Sequence, residues 1–265
     1  MKCFAKQSAR NTMANGCTAA RSLLALTLSV VLSLGAAAVV AQTPSAGAKQ
    51  NQLRPLTQQQ NDLFTYVTRD NEGAVRRLLE DGVEPNVLND KGQSPLTLAL
   101  QLGSLNAFNG LMSSEKTNVE FRNARDESPL MLAAIRGNAD AVTRLMRQGA
   151  HVNKTHWTPL HYAASGEGDT QVVIARLLLE HNAYIDAQSP NNTTPLMMAA
   201  QYGTNDVVKL LMQEGADPTM KNQLGLTAVD FAQRAGRDTL AQQIAQYAQK
   251  IQQQRSQPKP SKAAQ

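Results

Sequence analysis

Cysteine is almost absent from this sequence. Cys3 and Cys17 are the only two, and both precede the apolar run that begins at Leu23. The rest of the chain has no thiol, which excludes disulfides, zinc–thiolate sites and a cysteine nucleophile from it. Aromatic residues make up only 4%, with a single tryptophan, Trp157. A core built from Leu, Ala, Val and Met suits close-packed helices better than a sheet, where aromatic residues concentrate. Catalytic signatures are missing as well. There is no G-x-S-x-G, no H-E-x-x-H, no G-x-x-x-x-G-K-[ST] and no D-x-D-x-D-G loop. The histidines are His151, His156, His161 and His181, and none stands in a cysteine or carboxylate pattern that a metal would need. No catalytic residue, metal ligand or cofactor is expected.

The net charge of +5 is unevenly spread. Ten of the 26 basic residues (Lys2, Lys6, Arg10, Arg21, Lys49, Arg54, Lys250, Arg255, Lys259 and Lys262) lie outside 61–248, and all 21 acidic residues lie within it. The body of the chain is therefore mildly acidic, which argues against nucleic-acid binding, since phosphates require a basic face. Residues 1–22 carry four cations and no acid, Leu23 to Val40 carry no charge, and Val39-Val40-Ala41 ends the run with small residues. This is the pattern of a secretory signal peptide over 1–41. It predicts a periplasmic or secreted protein with no stable membrane insertion once the signal is cleaved. Left uncleaved, the run sits at the short limit of a membrane span and would anchor the protein in the inner membrane instead.

Repetition is what the chain does contain. Thr158-Pro159-Leu160-His161-Tyr162-Ala163-Ala164 is a helix start: a hydroxyl cap, Pro at the first helical position, then Leu and Ala on one face. Ser94-Pro95-Leu96, Ser128-Pro129-Leu130, Thr194-Pro195-Leu196 and Thr227-Ala228-Val229 repeat it, at spacings of 34, 30, 36 and 33 residues. A period near 33 carrying T-P-L-H-x-A resembles the ankyrin repeat. The resemblance covers roughly 61–252. It implies an all-α solenoid of paired antiparallel helices with short hairpin fingers, in about six repeats starting near 61, 94, 128, 158, 194 and 227. Residues 42–60, rich in Gln, Ala, Thr and Pro, are expected to be a flexible linker, and 253–265 a disordered tail.

Three departures from the period carry predictions. The second helix of the second repeat, around Ser104 to Ser114, holds Asn106, Asn109 and Gly110, which weaken a helix and predict a mobile element. The spacing of 30 leaves only Lys154 to Trp157 for a finger, so that finger is expected to be blunt and to notch the row. The spacing of 36 puts about three extra residues into the turn at Ser165 to Thr170. His161 is expected to tie neighbouring repeats through hydrogen bonds rather than to act in catalysis.

The resemblance further implies a non-enzymatic scaffold that binds a protein partner, as a monomer, on a concave face of fingers and first helices. By register that face holds Arg69, Asp90, Lys91, Gln101, Arg122, Arg125, Arg136, His156, Trp157, Asn191, Tyr202 and Lys221. Arg69, Arg122, Arg125 and Arg136 are expected to make its N-terminal half basic and suited to an acidic partner.

Overall fold

A computed structural model describes residues 55–256; the predicted signal and most of the predicted linker lie outside them. Twelve helices follow one another, with no strand among the described residues. In chain order they are α1 (Gln58–Thr68), α2 (Glu72–Glu80), α3 (Pro95–Leu102), α4 (Leu105–Leu111), α5 (Pro129–Ile135), α6 (Ala139–Arg147), α7 (Pro159–Ser165), α8 (Gln171–Glu180), α9 (Pro195–Gln201), α10 (Asn205–Gln213), α11 (Ala228–Arg234) and α12 (Asp238–Ser256). They form six pairs. First helices stack on first helices along the array, and second helices pack behind them. No described helix is long and apolar enough to cross a membrane.

Each first helix begins the same way. Thr57, Ser94, Ser128, Thr158, Thr194 and Thr227 are extended N-caps whose hydroxyls accept the N–H three residues on. The side chain of that third residue returns to the cap N–H and completes a capping box. It is Gln60, Thr97, Met131, His161, Met197 or Asp230 in turn. The box at Thr57 starts α1 at Gln58, ahead of the Asn61 expected from repeat spacing alone. At the other end α12 runs to Ser256, past the predicted boundary at 252.

The four inner first helices are short and almost wholly buried, so their faces read as continuous apolar runs: Pro129 to Ala134 and Pro195 to Ala200 have no exposed member. One repeat cannot bury such a helix by itself; the neighbouring repeats cover it. The buried side chains accordingly form one continuous cluster from Leu63 to Ile244.

The features that weaken α4 as an isolated helix have packing roles here. Ser104 makes no side-chain cap. Asp70 of the preceding repeat, at φ 53°, caps the helix instead: its carboxylate accepts the Ala107 N–H at 2.8 Å and the Asn106 amide at 2.9 Å. A Cβ on Gly110 would come within 3.1 Å of both the Glu72 carbonyl and the Val75 side chain, so glycine lets α4 lie close on α2. Asn109 accepts from Arg144, whose guanidinium sits over the Phe108 ring.

Candidate interaction surface

Five connections lead into the first helices after α1. Four are closed fingers, each with the same bond: the residue five before the cap donates its N–H to the carbonyl of the residue one before it. The pairs are Asn89–Gln93 at 2.9 Å, Asn123–Glu127 at 3.1 Å, Ser189–Thr193 at 3.0 Å and Asn222–Leu226 at 3.0 Å. Asn89, Asn123 and Asn222 also turn their side-chain oxygens onto two N–H groups of their own finger, a short-range bond that asparagine favours over regular structure.

The connection into α7 is different. Asn153 stands five residues before Thr158, where a finger would begin, yet it does not start one. Its side chain accepts the Tyr184 N–H at 2.8 Å and donates to the Asn182 carbonyl at 2.7 Å. Asn86, eight residues before its own cap, does the same for Asn118 and Lys116. Three residues are thus missing between Asn153 and Thr158, and the finger predicted to be blunt has no room to close. His156 still occupies the left-handed position (φ 71°) two residues before the cap, as do Gly92, Asp126, Asn192 and Gly225 in the closed fingers.

Polar side chains tie the short connection to the finger before it. The Lys154 side chain is buried with its ammonium on Asp126, which also takes Arg122 at 3.0 Å. Burial alone would raise the Asp126 pKa; Lys154 and Arg122 outweigh it and hold the carboxyl below its ordinary value. Glu127 accepts from Asn123 at 2.6 Å, Arg125 at 3.1 Å and the Tyr162 hydroxyl at 3.0 Å. Desolvation, then the neighbouring Glu127 carboxylate, pushes the Tyr162 hydroxyl above its ordinary range, so it stays a donor. The Glu120 carboxylate accepts the His151 N–H at 2.8 Å.

His161 lies fully buried beneath this connection. Its Nε2 meets the Thr193 carbonyl at 2.9 Å in the next repeat and its Nδ1 lies 2.8 Å from the Thr158 hydroxyl. Burial drives its pKa down to about 4 against the opposing pull of backbone acceptors, so the ring is neutral near pH 7. The ring of Trp157 stands edge-on to it, centroids 5.3 Å apart.

These contacts correct the expected basic patch. Arg122 is paired with Asp126 and Glu120, and Arg125 with Glu127, so each arginine of this finger faces a carboxylate. Arg69 and Arg136 sit elsewhere, as C-caps of α1 and α5, a first-helix length (about 10 Å) from the fingers. Register places residues along a repeat but does not reveal which charges neutralise one another across fingers. Trp157 is half-buried rather than freely exposed.

The other predicted residues scatter over both edges. Asp90 and Lys91 form the exposed tip of the first finger. Gln101 accepts from Gln93 at 2.6 Å. Asn191 holds the Ser189 hydroxyl at 2.6 Å. Tyr202, C-cap of α9, is half-buried, which raises its pKa; Lys221 is exposed. Lys154, Asp126 and Tyr162 escaped the sequence reading, although the dense charge of 120–127 was a signal. A groove of about 500 Å³ on the opposite edge also went unforeseen; exposed Leu102 and Leu105 line it with Gln101, Arg136 and Asp140. Among the described residues no group of three or more His, Cys, Asp and Glu side chains is placed to hold a metal.

A family model described as ankyrin repeats (3 copies) matches residues 106–189 and 174–255, more than half of the chain. The chain belongs to the ankyrin repeat family. That family is one of protein-interaction modules, and its members share the paired helices and fingers seen here. The mouse nuclear factor NF-kappa-B p105 subunit is 31% identical over 164 residues, 59% of this ankyrin chain and 17% of the relative. Mouse ankyrin repeat and SOCS box protein 16 is 30% identical over 172 residues, 62% of this chain and 38% of the relative. The ankyrin chain thus spans well under half the length of these relatives. Among solved structures it is similar to one chain of a complex described as the predatory endopeptidase Bd0816 from Bdellovibrio bacteriovorus with immunity protein Bd3460. That match has a TM-score of 0.59 and 26% identity, and covers 69% of this chain and 96% of that one.

Proposed function

We propose that this ankyrin protein is an exported, non-catalytic scaffold that binds a partner protein on the face formed by its fingers and first helices. The observation that carries the reading is the finger row. It is rigid, closed by repeated backbone bonds and anchored on buried helices, so little ordering entropy is lost on docking. Around the short connection it presents an uneven polar surface with a half-buried Trp and exposed Arg125, residue types that dominate binding energy at interfaces. Export rests on the cationic start, the uncharged run and the small residues ending at Ala41.

The similarity to a chain from an endopeptidase–immunity protein complex makes an exported peptidase the first partner to test. The full chain, expressed with a C-terminal tag in a Gram-negative host, is recovered from the periplasmic, membrane and cytoplasmic fractions and its mass measured. Mass loss of residues 1–41 in the periplasmic pool supports export; an intact N-terminus in the membrane fraction moves the protein to the anchored alternative. The recovered protein is then titrated with purified exported endopeptidases by calorimetry. Saturable binding lost on Trp157→Ala or Arg125→Glu supports the finger face. Saturable binding indifferent to both substitutions overturns it.

A further inference from the structure

The closed fingers show what their edges do. Two neighbouring pairs are joined by backbone hydrogen bonds: Ala124 N–H to the Gly92 carbonyl at 2.7 Å, and Gln223 N–H to the Asn191 carbonyl at 3.0 Å. In both, the donor is the residue four before the cap of the later finger. The acceptors lie two or three before the cap of the earlier one. In the 121–127 finger the matching acceptors are the carbonyls of Asp126 and Arg125. In the connection that follows, the donor position four before the cap falls on Lys154, but the connection is three residues too short to close, and no donor reaches these carbonyls among the described residues. The next finger, 187–193, carries Pro190 at its own donor position. Proline has no N–H, so that finger asks for nothing across the gap. One edge of the notch is therefore open and accepting, the other is closed, and Trp157 stands at the base.

We propose that the notch between the 121–127 and 187–193 fingers is a docking slot for an extended segment of a partner protein. The segment adds to the 121–127 finger as the missing finger would, donating a backbone N–H to the Arg125 or Asp126 carbonyl. Such edge addition takes its affinity from main-chain bonds and its specificity from alternate side chains. The surrounding charges are balanced, Arg122, Arg125 and Lys154 against Glu120, Asp126 and Glu127. The slot therefore selects a segment with little net charge, a non-proline residue at the donating position and an apolar side chain for Trp157. This inference deepens the binding reading and rests on it.

The chain's own fingers supply a probe, and Trp157, its sole tryptophan, supplies a reporter. A cyclic peptide with the sequence of residues 220–226 is titrated into the full-length protein. Trp157 fluorescence and the amide resonances of residues 124–127 are followed. The expected result is a saturable change with a dissociation constant of about 1 mM, weakened about tenfold when the amide equivalent to Gln223 N–H is methylated. A variant with three residues inserted between Lys154 and Thr155, rebuilding a full finger, is expected to lose the response at 124–127 while staying folded by circular dichroism. No saturable change up to about 10 mM overturns the slot, as does equal binding of the methylated peptide. If the insertion does not fold, the methylated peptide on the wild-type protein decides alone. The natural partner is not needed, so this test fails separately from the binding reading.

Discussion

The junction between the fifth and sixth repeats and the stretch around the fourth solve one problem in two ways. At the fifth–sixth junction the fingers join directly: Gln223 donates its N–H to Asn191 and its side-chain amide to the Pro190 carbonyl at 2.8 Å. Arg237 adds bonds at the far edge, reaching the carbonyls of Ala199 and Ala200 at 3.0 Å. Around the fourth repeat the finger edge contributes no backbone bond, and side chains take over. Lys154, Tyr162 and His161 bridge near the fingers. At the opposite edge Thr170 donates to the Gly137 carbonyl at 2.9 Å and Gln171 to the Ile135 carbonyl at 3.0 Å. Thr170 ends the lengthened turn and Gln171 follows it, so the residues gained there let the chain fold back over the end of α5. A solenoid holds together through nearest-neighbour interfaces. A lost finger contact is therefore tolerated where other contacts of the same interface remain.

If the interfaces around the fourth repeat depend on the far edge, crowding that edge where the fifth repeat meets the fourth will break the array there. A Cβ on Gly203 would fall 2.1 Å from the Ala164 carbonyl oxygen and 2.9 Å from the Ala199 Cα. Both are backbone atoms, which cannot rotate aside. Gly203→Ala is expected to cost about 3 kcal/mol, the upper end for overpacking. Urea unfolding will measure it. The same substitution at Gly215, with open space around its Cβ but φ 94°, bears only backbone strain, about 1 kcal/mol. Equal losses at the two sites would remove the idea that close backbone packing at the far edge matters to the interfaces around the fourth repeat.

His161 sharpens the comparison through pH. It links the fourth and fifth repeats where no finger bond does, and burial lowers its pKa from 6.5 to about 4. The unfolded chain therefore binds a proton between those values and the folded chain does not. Stability is fully present above about pH 6.5, falls as pH drops towards 4, and loses nothing more from this group below that. The loss amounts to roughly 3 kcal/mol across the window. His161→Gln is expected to flatten the slope, and chemical denaturation at pH 7, 5.5 and 4.5 will show it. Amide exchange at pH 4.5 is expected to rise first at Thr158 and its neighbours, because a protonated Nδ1 can no longer accept the Thr158 N–H.

Much of this architecture is legible in the sequence, for a physical reason. Helix caps are local: a hydroxyl followed by an apolar pair over a few residues marks five of the six first helices, four of them with proline between and Thr227 with Ala228 in its place. Thr57 was missed because Leu-Thr-Gln-Gln-Gln lacks both the proline and the apolar residues after the cap, though Thr57 and Gln60 form the same box. The short finger showed in the spacing of 30, but not what its neighbours do. Asn153 sits where counting back from the cap makes it a finger residue, and its bonds to Asn182 and Tyr184 depend on the loop of the next repeat. The basic patch failed likewise: Lys154 reaches Asp126 across 28 residues. Contacts between repeats are non-local, and register alone does not order them.

The smallest expected effect tests whether the short connection is strained beyond its closed neighbours. His156 and Asn192 both stand two residues before a cap in the left-handed region, at φ 71° and 61°. Asparagine tolerates that region through local hydrogen bonding, and the closed finger around Asn192 makes its bend shallow in cost: Asn192 donates its N–H to Ser189 at 2.8 Å. His156 makes no such bond. Replacing it with glycine is expected to stabilise the protein by about 0.5–1 kcal/mol, because relief of the Cβ contact outweighs the added freedom of the unfolded chain. Asn192→Gly is expected to be neutral or slightly destabilising. Thermal melts of the two variants, run side by side at neutral pH to keep His161 uncharged, will separate them. If both shift alike, the three missing residues left the backbone no tighter than in a full finger, and the slot beside Trp157 is a gap in the row rather than a point of strain.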